Sequence, residues 1–245
     1  MVVKSQIKLI RSLQHKKNRS SEGLFIVEGE KGIKEAIANG LVPYLLCTSL
    51  AAKATVTRSE LIAYEKVSAQ EMSQMSALKN PNGYLGVFRV PKTPALDFSN
   101  WILALDGLQD PGNLGTIIRL CDWFGVRHIL CSENTVDAYN PKVIQATMGS
   151  IGRVHLHYVD LAASLAAAPL EVVGTFMDGQ SISSSKFDIP GILVMGNEGQ
   201  GISKEIAALV SQKVSIPAHQ TAATESLNVA SAAGIALYEI RRSTS

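Results

Sequence analysis

Short apolar runs that alternate with helical patterns are the feature that most constrains the fold of this chain. After residue 97 these runs have the character of buried parallel strands. They are Trp101–Leu105, His128–Cys131, Val172–Phe176, Ile192–Met195 and Val214–Ile216. Helical patterns lie between several of them, at 112–124, 140–147, 203–210 and 226–240. Alternation of this kind predicts an α/β domain built on a largely parallel sheet.

The first third of the chain has a different pattern, and a proline-containing stretch separates it from the rest. It begins with a helix predicted at about residues 4–15, and further strands and a helix are predicted at Leu24–Val27, Glu30–Ala38, Tyr44–Cys47 and Gly83–Val90. Residues 91–96 contain two prolines and no apolar periodicity, which is typical of a linker. We therefore predict a small α/β domain over residues 1–92 and a second domain over residues 97–245.

The composition limits the class of protein. Of the 245 residues, 46% are apolar and 18% are charged, a mixture typical of globular proteins rather than disordered ones. No apolar run reaches the roughly 18–20 residues that a membrane-spanning helix needs. The first 20 residues mix cations with apolar residues and lack the separate hydrophobic block of a secretory signal. We therefore expect a cytoplasmic protein with no membrane partner.

Cysteines and histidines do not indicate a metal site. Cys47, Cys121 and Cys131 cannot all pair and none lies in a CxxC motif, so we expect reduced thiols. His155 and His157 alternate on a predicted strand and point to one face, but two ligands do not make a metal site. We expect no bound metal.

The N-terminus is strongly basic. Residues 1–20 carry six cationic side chains and no acid, so the rest of the chain has a net charge of −4. Lys4, Lys8, Arg11 and His15 form one stripe of the predicted helix, and Leu9, Ile10 and Leu13 lie on the opposite side. Such a stripe suits a phosphate backbone, although from charge alone a solvated helix face is the other interpretation.

A polar, glycine-rich segment follows the first apolar run of the second domain. Asp110 precedes Pro111, the pattern of a helix N-cap followed by proline at the first helical position. On that helix Gly115, Thr116 and Arg119 lie within about 40° of one direction. Ligands of open α/β sheets bind beyond the carboxyl ends of strands, so this segment predicts a substrate approaching beside Arg119. The alternative is a helix packed closely on a strand, with Arg119 in a surface ion pair.

A second cluster follows the run that ends at Met195. Residues 196–201 contain three glycines, which let the backbone line a pocket closely, and Ser203 is placed to cap the next helix. The order G-x-x-G-x-G is the reverse of the dinucleotide fingerprint, and no acidic residue ends the next strand. A nicotinamide-dependent oxidoreductase is therefore disfavoured. Glu198 is the unusual acid in this loop.

The third cluster links the last apolar run to the last helix. Ser226 or Thr224 is predicted to cap this helix, whose free N–H groups suit a phosphate or carboxylate. A stripe of mostly small residues follows along it, namely Ser226, Ala230, Ala233, Gly234 and Leu237. This stripe predicts close helix packing, within the chain or between two copies.

In this order and at these spacings, the three clusters resemble the three motifs of the SpoU (TrmH-type) RNA ribose methyltransferases of the SPOUT superfamily. The resemblance covers about residues 98–242. The first 92 residues, with the basic segment 16–19, resemble more loosely the L30e-like RNA-binding domain often fused in front. The resemblance implies methyl transfer from S-adenosylmethionine to a ribose 2′-oxygen of rRNA or tRNA. It also implies a Rossmann-like sheet with a C-terminal trefoil knot, and a homodimer packed through the knotted region.

The resemblance also implies the roles of individual residues. The catalytic residues it implies are Asn113, Arg119, Glu198, Ser226 and Asn228. The cofactor-binding residues it implies are Met195, Gly196, Asn197, Gly201, Ile216, Ser226 and Leu227. The RNA-binding residues we expect are Lys8, Arg11, Lys16, Lys17, Arg19 and Arg119.

The chemistry constrains the role of Arg119. A ribose hydroxyl must lose its proton as it attacks the methyl carbon, yet a guanidinium stays protonated in proteins. We therefore interpret Arg119 as stabilising the developing alkoxide and a neighbouring phosphate. Residues 218–225 are longer than the matching family segment and lack glycine, which affects the rim of the cofactor pocket. Two alternatives remain, an RNA-binding protein without catalysis and an RNA base methyltransferase; by analogy, the separate front domain favours rRNA over tRNA.

Overall fold

The computed structural model describes residues 2–49, 55–57, 60–187 and 190–243. The chain divides into two compact units. The first contains the residues up to Lys92 together with Asp137–Gly152, and the second contains Thr93–Val136 together with the residues from Arg153 onward. Our predicted domains differ from these units at residues 137–152, which we expected in the second domain and which pack within the first.

The first unit is a small α/β module. Its elements up to residue 92 are α1 (Lys4–Ser12), α2 (Lys16–Glu22), β1 (Leu24–Glu28), α3 (Glu30–Ala38), β2 (Pro43–Thr48), β3 (Thr55–Thr57), β4 (Glu60–Ile62), β5 (Glu65–Lys66), α4 (Ala69–Met75) and β6 (Tyr84–Arg89). Four strands form a mixed sheet in the order β1-β6-β2-β5, in which β6 runs antiparallel to both neighbours and β5 is parallel to β2. The pair β3 and β4 forms a separate antiparallel ladder.

The rest of the chain is an alternation of strands and helices. Its elements are β7 (Ile102–Leu105), α5 (Pro111–Phe124), β8 (His128–Ser132), α6 (Pro141–Thr147), β9 (His155–Val159), α7 (Leu161–Ala167), β10 (Glu171–Ser181), β11 (Gly191–Met195), α8 (Lys204–Ala207), β12 (Gln212–Ser215) and α9 (Val229–Ser243). Short 3₁₀ turns lie at Ser150–Gly152 and Ile182–Ser184. Of these elements, α6 and the first 3₁₀ turn belong to the first unit.

The amphipathic pattern of the N-terminus is confirmed, although the helix is shorter than predicted. Ile10 and Leu13 are fully buried, whereas Lys4, Lys8 and Arg11 are exposed on the opposite side of α1. The helix ends at Ser12 because the chain turns there, and α2 begins at Lys16. His15 therefore lies between the two helices and does not continue the stripe.

The second unit contains the predicted parallel sheet. Six strands follow the order β12-β10-β11-β7-β8-β9, and every adjacent pair is parallel. β7, β8 and β11 are buried along their whole length, which explains why they lack polar alternation in the sequence. From β7 the chain continues to β8 and β9 on one side of the sheet. It then crosses to the other side of β7, where β10, β11 and β12 lie. The topological switch point of the sheet therefore lies between β7 and β11.

Two helix boundaries differ from the sequence-based prediction. The helix expected over 203–210 is a single turn, α8, capped by Ser203 as predicted. The last helix does not begin at Ser226 but at Val229, because the Asn228 side chain accepts from the backbone N–H groups of its first turn. α7 was not predicted, although Asp160 caps it and marks its start.

The small-residue stripe of the last helix packs within the chain. Ala230, Ala233 and Leu237 are buried, and a Cβ on Gly234 would lie 3.5 Å from the Leu120 side chain of α5. The stripe therefore brings α9 against α5.

Among the described helices, none combines the length and the apolar character that a membrane-spanning segment needs.

Candidate active site

The first two motifs meet at the carboxyl ends of β7 and β11, which are neighbours in the sheet. The Asp106 backbone N–H donates to the Met195 carbonyl at 2.9 Å, which extends the ladder by one residue. The Asp106 carboxylate accepts from the Ser203 N–H at 2.7 Å. Both loops are thus joined at the switch point, where open α/β sheets bind their ligands.

The first loop leads directly into α5. Asp110 caps this helix by accepting from the Asn113 backbone N–H at 2.7 Å, and Pro111 occupies the first helical position, as predicted. The cap fixes Asn113 in the first turn, with its side chain partly exposed. Asn113 therefore lies in the first turn of the helix, close to the carboxyl end of β7.

Glu198 closes the two loops against each other. Its carboxylate accepts from the backbone N–H groups of Gln109 at 3.3 Å and Asp110 at 3.1 Å, and from the Asn113 amide at 3.2 Å. Partial burial raises the pKa of Glu198, but these hydrogen bonds outweigh it, so the net pKa lies below its ordinary value. Glu198 is therefore an ionised anchor and a poor proton acceptor at neutral pH.

Asn113 and Asn228 bring the third motif to the same place. The Asn228 amide donates to the Asn113 side-chain oxygen at 2.9 Å. The Asn228 oxygen accepts from the N–H groups of Ala230 at 2.9 Å and Ser231 at 3.3 Å. Glu198, Asn113 and Asn228 thus form one hydrogen-bonded chain, which we call the three-motif network. It unites residues that are 115 positions apart in the sequence.

The loop after β11 is closed by its own backbone. Asn197 and Gly201 exchange two backbone hydrogen bonds of 2.9 Å, and the Asn197 side-chain oxygen accepts from two further N–H groups of the loop. A Cβ on Gly196 would lie 2.1 Å from the Gly201 carbonyl carbon, so only glycine fits there. Gly201 has a φ of +69°, which also favours glycine. A tight loop without side chains at these points can approach a planar ligand closely.

The remaining predicted cofactor residues lie at the end of β11 and in the segment from β12 to α9. Met195 is buried, Ile216 is half-buried just after β12, and Leu227 is 48% exposed beside Asn228. Ser226 is exposed. Its side chain does not cap α9, which begins at Val229, although Ser226 was one of the two residues predicted to cap this helix. A glycine-rich backbone and an exposed apolar side chain fit the adenosine and methionine parts of S-adenosylmethionine. Among the described residues, no group of three histidine, cysteine or acidic side chains could hold a metal ion.

Arg119 is not part of the three-motif network. It lies six residues after Asn113, which places it about 9 Å further along α5 and about 120° around the helix. Its side chain is exposed on the same face as Thr116 and Trp123. In the described part of the chain no carboxylate pairs with it, so its charge is available to a ligand.

The structure corrects the prediction for Arg19. This side chain is 4% exposed, and it forms an ion pair with Asp137 at 2.5 Å. It also donates to the carbonyls of Leu13 at 2.8 Å and Gln14 at 2.9 Å. All three of its guanidinium nitrogens donate inside the first unit, so Arg19 is a structural residue and not an RNA contact. Lys8, Arg11, Lys16 and Lys17 remain exposed.

The sequence analysis missed the residues that support the first loop from the side of β8. Ser132, Asn134 and Thr135 follow or end that strand, and Gln109 faces them. The available signal was their position: small polar residues at the carboxyl end of a strand adjacent to β7.

Two family models match the chain. One is described as the SpoU rRNA Methylase family and matches residues 100–238, more than half of the chain. The other is described as the MRM3-like substrate binding domain and matches residues 4–86.

The chain is similar to individual proteins over almost its whole length. It is 30% identical to the 23S rRNA (guanosine(2553)-2′-O)-methyltransferase RlmP of Bacillus subtilis, over 96% of each chain. The structure of a TrmH-family protein from Porphyromonas gingivalis is similar with a TM-score of 0.86 and 36% identity, over 99% of both chains. An AdoMet-bound rRNA methyltransferase from Sinorhizobium meliloti is similar with a TM-score of 0.84 and 30% identity, over 99% of this chain and 96% of that one.

Proposed function

The chain belongs to the SpoU rRNA methylase family, and from this premise we propose that it transfers the methyl group of S-adenosylmethionine to a ribose 2′-oxygen of rRNA. The observation that carries the proposal is the three-motif network. Glu198, Asn113 and Asn228 join the loops after β7, β11 and β12 into one site at the switch point of the sheet. The relatives named above act on rRNA or on its ribose oxygens, which favours rRNA over tRNA.

Each part of the site has one task in this proposal. The cofactor supplies an electrophilic methyl group on a sulfonium. The glycine-rich loop 196–201 and Leu227 hold it, and the three-motif network fixes the position of these loops. Arg119 would lie beside the ribose, where its permanent positive charge would stabilise the alkoxide that develops as the 2′-hydroxyl loses its proton to water. The bond between the methyl carbon and sulfur would break as the carbon–oxygen bond forms, so that S-adenosylhomocysteine leaves. Ser226 lies next to Leu227 and provides a hydroxyl for the neighbouring phosphate.

The two predicted domains divide the work. Residues 97–245 carry out the transfer, and residues 1–92 hold the RNA. In the first unit Lys8 and Arg11 lie on the exposed face of α1, and Lys16 and Lys17 begin α2 without a carboxylate partner among the described residues. Clustered exposed cations without partners suit a phosphate backbone.

A homodimer is the expected assembly, through the exposed faces of α5 and α9. Trp123 is 83% exposed on α5, and Ile235 and Tyr238 are exposed on α9. Large apolar side chains exposed together mark an interaction surface. The small-residue stripe of α9 packs against α5 within the chain, so we assign the partner copy to the surface that carries these three exposed side chains. A cytoplasmic location and a trefoil knot in the C-terminal part complete the proposal.

Methyl transfer to unmodified total RNA tests the proposal. Labelled methyl from S-adenosylmethionine is incorporated, and the RNA is then hydrolysed with alkali, which requires a free 2′-hydroxyl. Label in alkali-resistant dinucleotides of rRNA is the expected result. Label in mononucleotides would instead indicate base methylation. No incorporation into naked RNA or into ribosomal particles would favour an RNA-binding protein without catalysis.

A further inference from the structure

The turn that follows β7 is held from the sides of both neighbouring strands through the backbone of a single residue, Gly107. Its N–H donates to the hydroxyl of Ser132 at the end of β8, at 2.8 Å. Its carbonyl accepts from the Asn197 amide in the loop after β11, at 2.7 Å. Gly107 has a φ of +72°, so the turn depends on glycine and its backbone direction is fixed by these two contacts.

The Ser132 hydroxyl makes this contact from within a small polar cluster at the end of β8. It is the last residue of β8 and is buried, with its hydroxyl 2.6 Å from the Asn134 side-chain oxygen and 3.0 Å from the Thr135 hydroxyl. Thr135 is also buried, and its hydroxyl donates to the Leu105 carbonyl at 3.3 Å. Because the Ser132 oxygen accepts from Gly107, its own proton is directed to one of these two oxygens. Every polar group of the cluster is therefore satisfied.

The same cluster reaches the three-motif network through Gln109. The Gln109 side-chain amide donates to the Asn134 carbonyl at 2.6 Å and to the Gly107 carbonyl at 3.1 Å. Its backbone N–H donates to Glu198. A shift of the Gly107 turn would therefore move the N–H groups of Gln109 and Asp110 that hold the Glu198 carboxylate.

We propose that Ser132 is a positioning residue for methyl transfer, acting through the Gly107 turn on Glu198 and Asn113. Ser132 contacts neither of these side chains directly. It fixes the loop after β7 from the β8 side, while Asn197 fixes it from the β11 side. The inference rests on the proposed function, and it adds β8 to the three strands, β7, β11 and β12, whose following loops form the site.

The energetics favour an effect on the rate. Without the Ser132 hydroxyl the buried N–H of Gly107 loses its acceptor, and an unpaired buried donor is strongly unfavourable. The turn relieves this cost by moving until the N–H finds another acceptor. Displacements of about 1 Å at positioning groups lower rates by up to about a hundredfold.

Ser132→Ala and Ser132→Thr test the proposal in the full chain. At a temperature well below both unfolding midpoints, Ser132→Ala is expected to lower kcat about tenfold to hundredfold. KM for S-adenosylmethionine should stay within about twofold, because the lost contact positions reacting groups rather than binding the cofactor. Ser132→Thr keeps the hydroxyl and should recover most of kcat. Ser211→Ala is the control, since its hydroxyl donates to the Val172 carbonyl at 3.0 Å near the amino end of the sheet, the end opposite the candidate site.

A kcat of Ser132→Ala within twofold of the unaltered chain would overturn the inference and leave the proposed function intact. An equal loss in Ser132→Thr would also overturn it, because the hydroxyl would then not be the cause. Hydrogen exchange at the Gly107 amide gives a readout independent of activity. Faster exchange in Ser132→Ala but not in Ser211→Ala supports the inference, and unchanged exchange overturns it. Absence of methyl transfer by the unaltered chain would overturn the proposed function itself.

Discussion

Two arginines for which the sequence predicts the same task lie in opposite surroundings. Arg19 in α2 is buried, and its guanidinium donates to Asp137 and to two backbone carbonyls. Arg119 in α5 is exposed and pairs with no carboxylate among the described residues. Both occur in segments that resemble RNA-binding or catalytic motifs, so the residue type alone did not separate them.

The difference separates cationic side chains that stabilise the fold through internal partners from those that remain exposed for a ligand. A buried guanidinium is tolerated only when its donors are satisfied, so its contribution is to the stability of the unit around it. An exposed guanidinium without a partner contributes little to stability and retains its charge for a phosphate or an alkoxide. The same comparison extends to the other basic groups of the chain.

The sharpest test of the comparison is Arg119→Ala. Methyl transfer should fall about a thousandfold, since loss of a group that stabilises transition-state charge typically costs about 10²–10³ in kcat. Affinity for S-adenosylmethionine and the unfolding midpoint should be nearly unchanged, because Arg119 has no partner in the described part of the chain. Single-turnover methylation and calorimetric cofactor binding measure the two effects.

Arg127→Ala is the matched control for Arg119→Ala. Its side chain is exposed like that of Arg119, but it pairs with Asp122 at 3.3 Å near the amino end of β8. It should retain nearly full activity. Near-normal turnover by Arg119→Ala would remove Arg119 from the reaction and leave Ser226 and the network residues as candidates.

Arg19→Ala should show the reverse pattern. The change leaves the Asp137 carboxylate, 15% exposed, without its cation, and breaking a buried ion pair costs about 3–5 kcal/mol. The free energy of unfolding in urea should therefore fall by about 3 kcal/mol, while the residual folded protein stays active. Lys17→Ala, an exposed change in the same helix, should alter stability by less than about 0.5 kcal/mol. An unaltered unfolding curve for Arg19→Ala would contradict the structural role.

The contrast also shows what the sequence could reveal. The caps at Asp110 and Ser203, and the buried strands β7 and β11, follow from local patterns and were predicted correctly. The partner of Arg19 is Asp137, 118 residues away in the sequence. It belongs to the segment Asp137–Gly152, which is part of the first unit although residues of the second unit precede and follow it in the sequence. No local pattern specifies such a contact.

The predicted start of α9 was wrong for a related reason. Ser226 and Asn228 are both good N-cap residues, so propensity does not choose between them. The choice is made by Asn113, which accepts from the Asn228 amide and leaves its oxygen directed at the helix N–H groups. Tertiary contacts of this kind fix the details of the candidate site, whereas its location at the strand ends follows from the pattern of the chain.

Three histidines of the second unit add a third case to the buried and the exposed arginine, because the fold lowers their pKa values and so favours the neutral imidazole. His128, His155 and His157 form a cluster on β8 and β9, with His128 Nδ1 2.9 Å from His157 Nε2. Burial, and secondly the neighbouring His128 and His155, lowers the pKa of His157 to about 4. Burial also lowers the pKa of His128 and of His155, with Arg127 contributing at His155 and Asp97 opposing at His128.

Stability should therefore depend on pH through this cluster. The unfolded chain binds protons at these histidines below about pH 6.5, before the folded chain does. The contribution is complete above about pH 6.5 and is lost as the pH falls toward 4. His157→Phe should flatten the loss between pH 6.5 and 4 by about 1–2 kcal/mol, a value reduced for the partial exposure of the ring. Urea unfolding at several pH values measures it, with His219→Ala on an exposed loop as control. Parallel profiles for His157→Phe and the unaltered chain would contradict it.

The smallest expected effect concerns the exposed cations of α1. Lys8 and Arg11 have no carboxylate partner among the described residues, so the double change Lys8→Ala with Arg11→Ala should leave stability unaltered. RNA binding should weaken several-fold, and the slope of log K against log salt should fall by about 1.5, since each lost phosphate contact removes about 0.7–0.9.

Lys34→Ala is the control for the double change. It also removes a cation from the first unit, but Lys34 already pairs with Glu30 at 2.8 Å. It should leave the salt slope unchanged. Filter binding of rRNA fragments over a salt series measures both variants. A slope that falls equally in Lys34→Ala would mean that net charge, and not the unpaired stripe, attracts the RNA. A slope that falls in neither variant would place the RNA contact of the first unit away from α1.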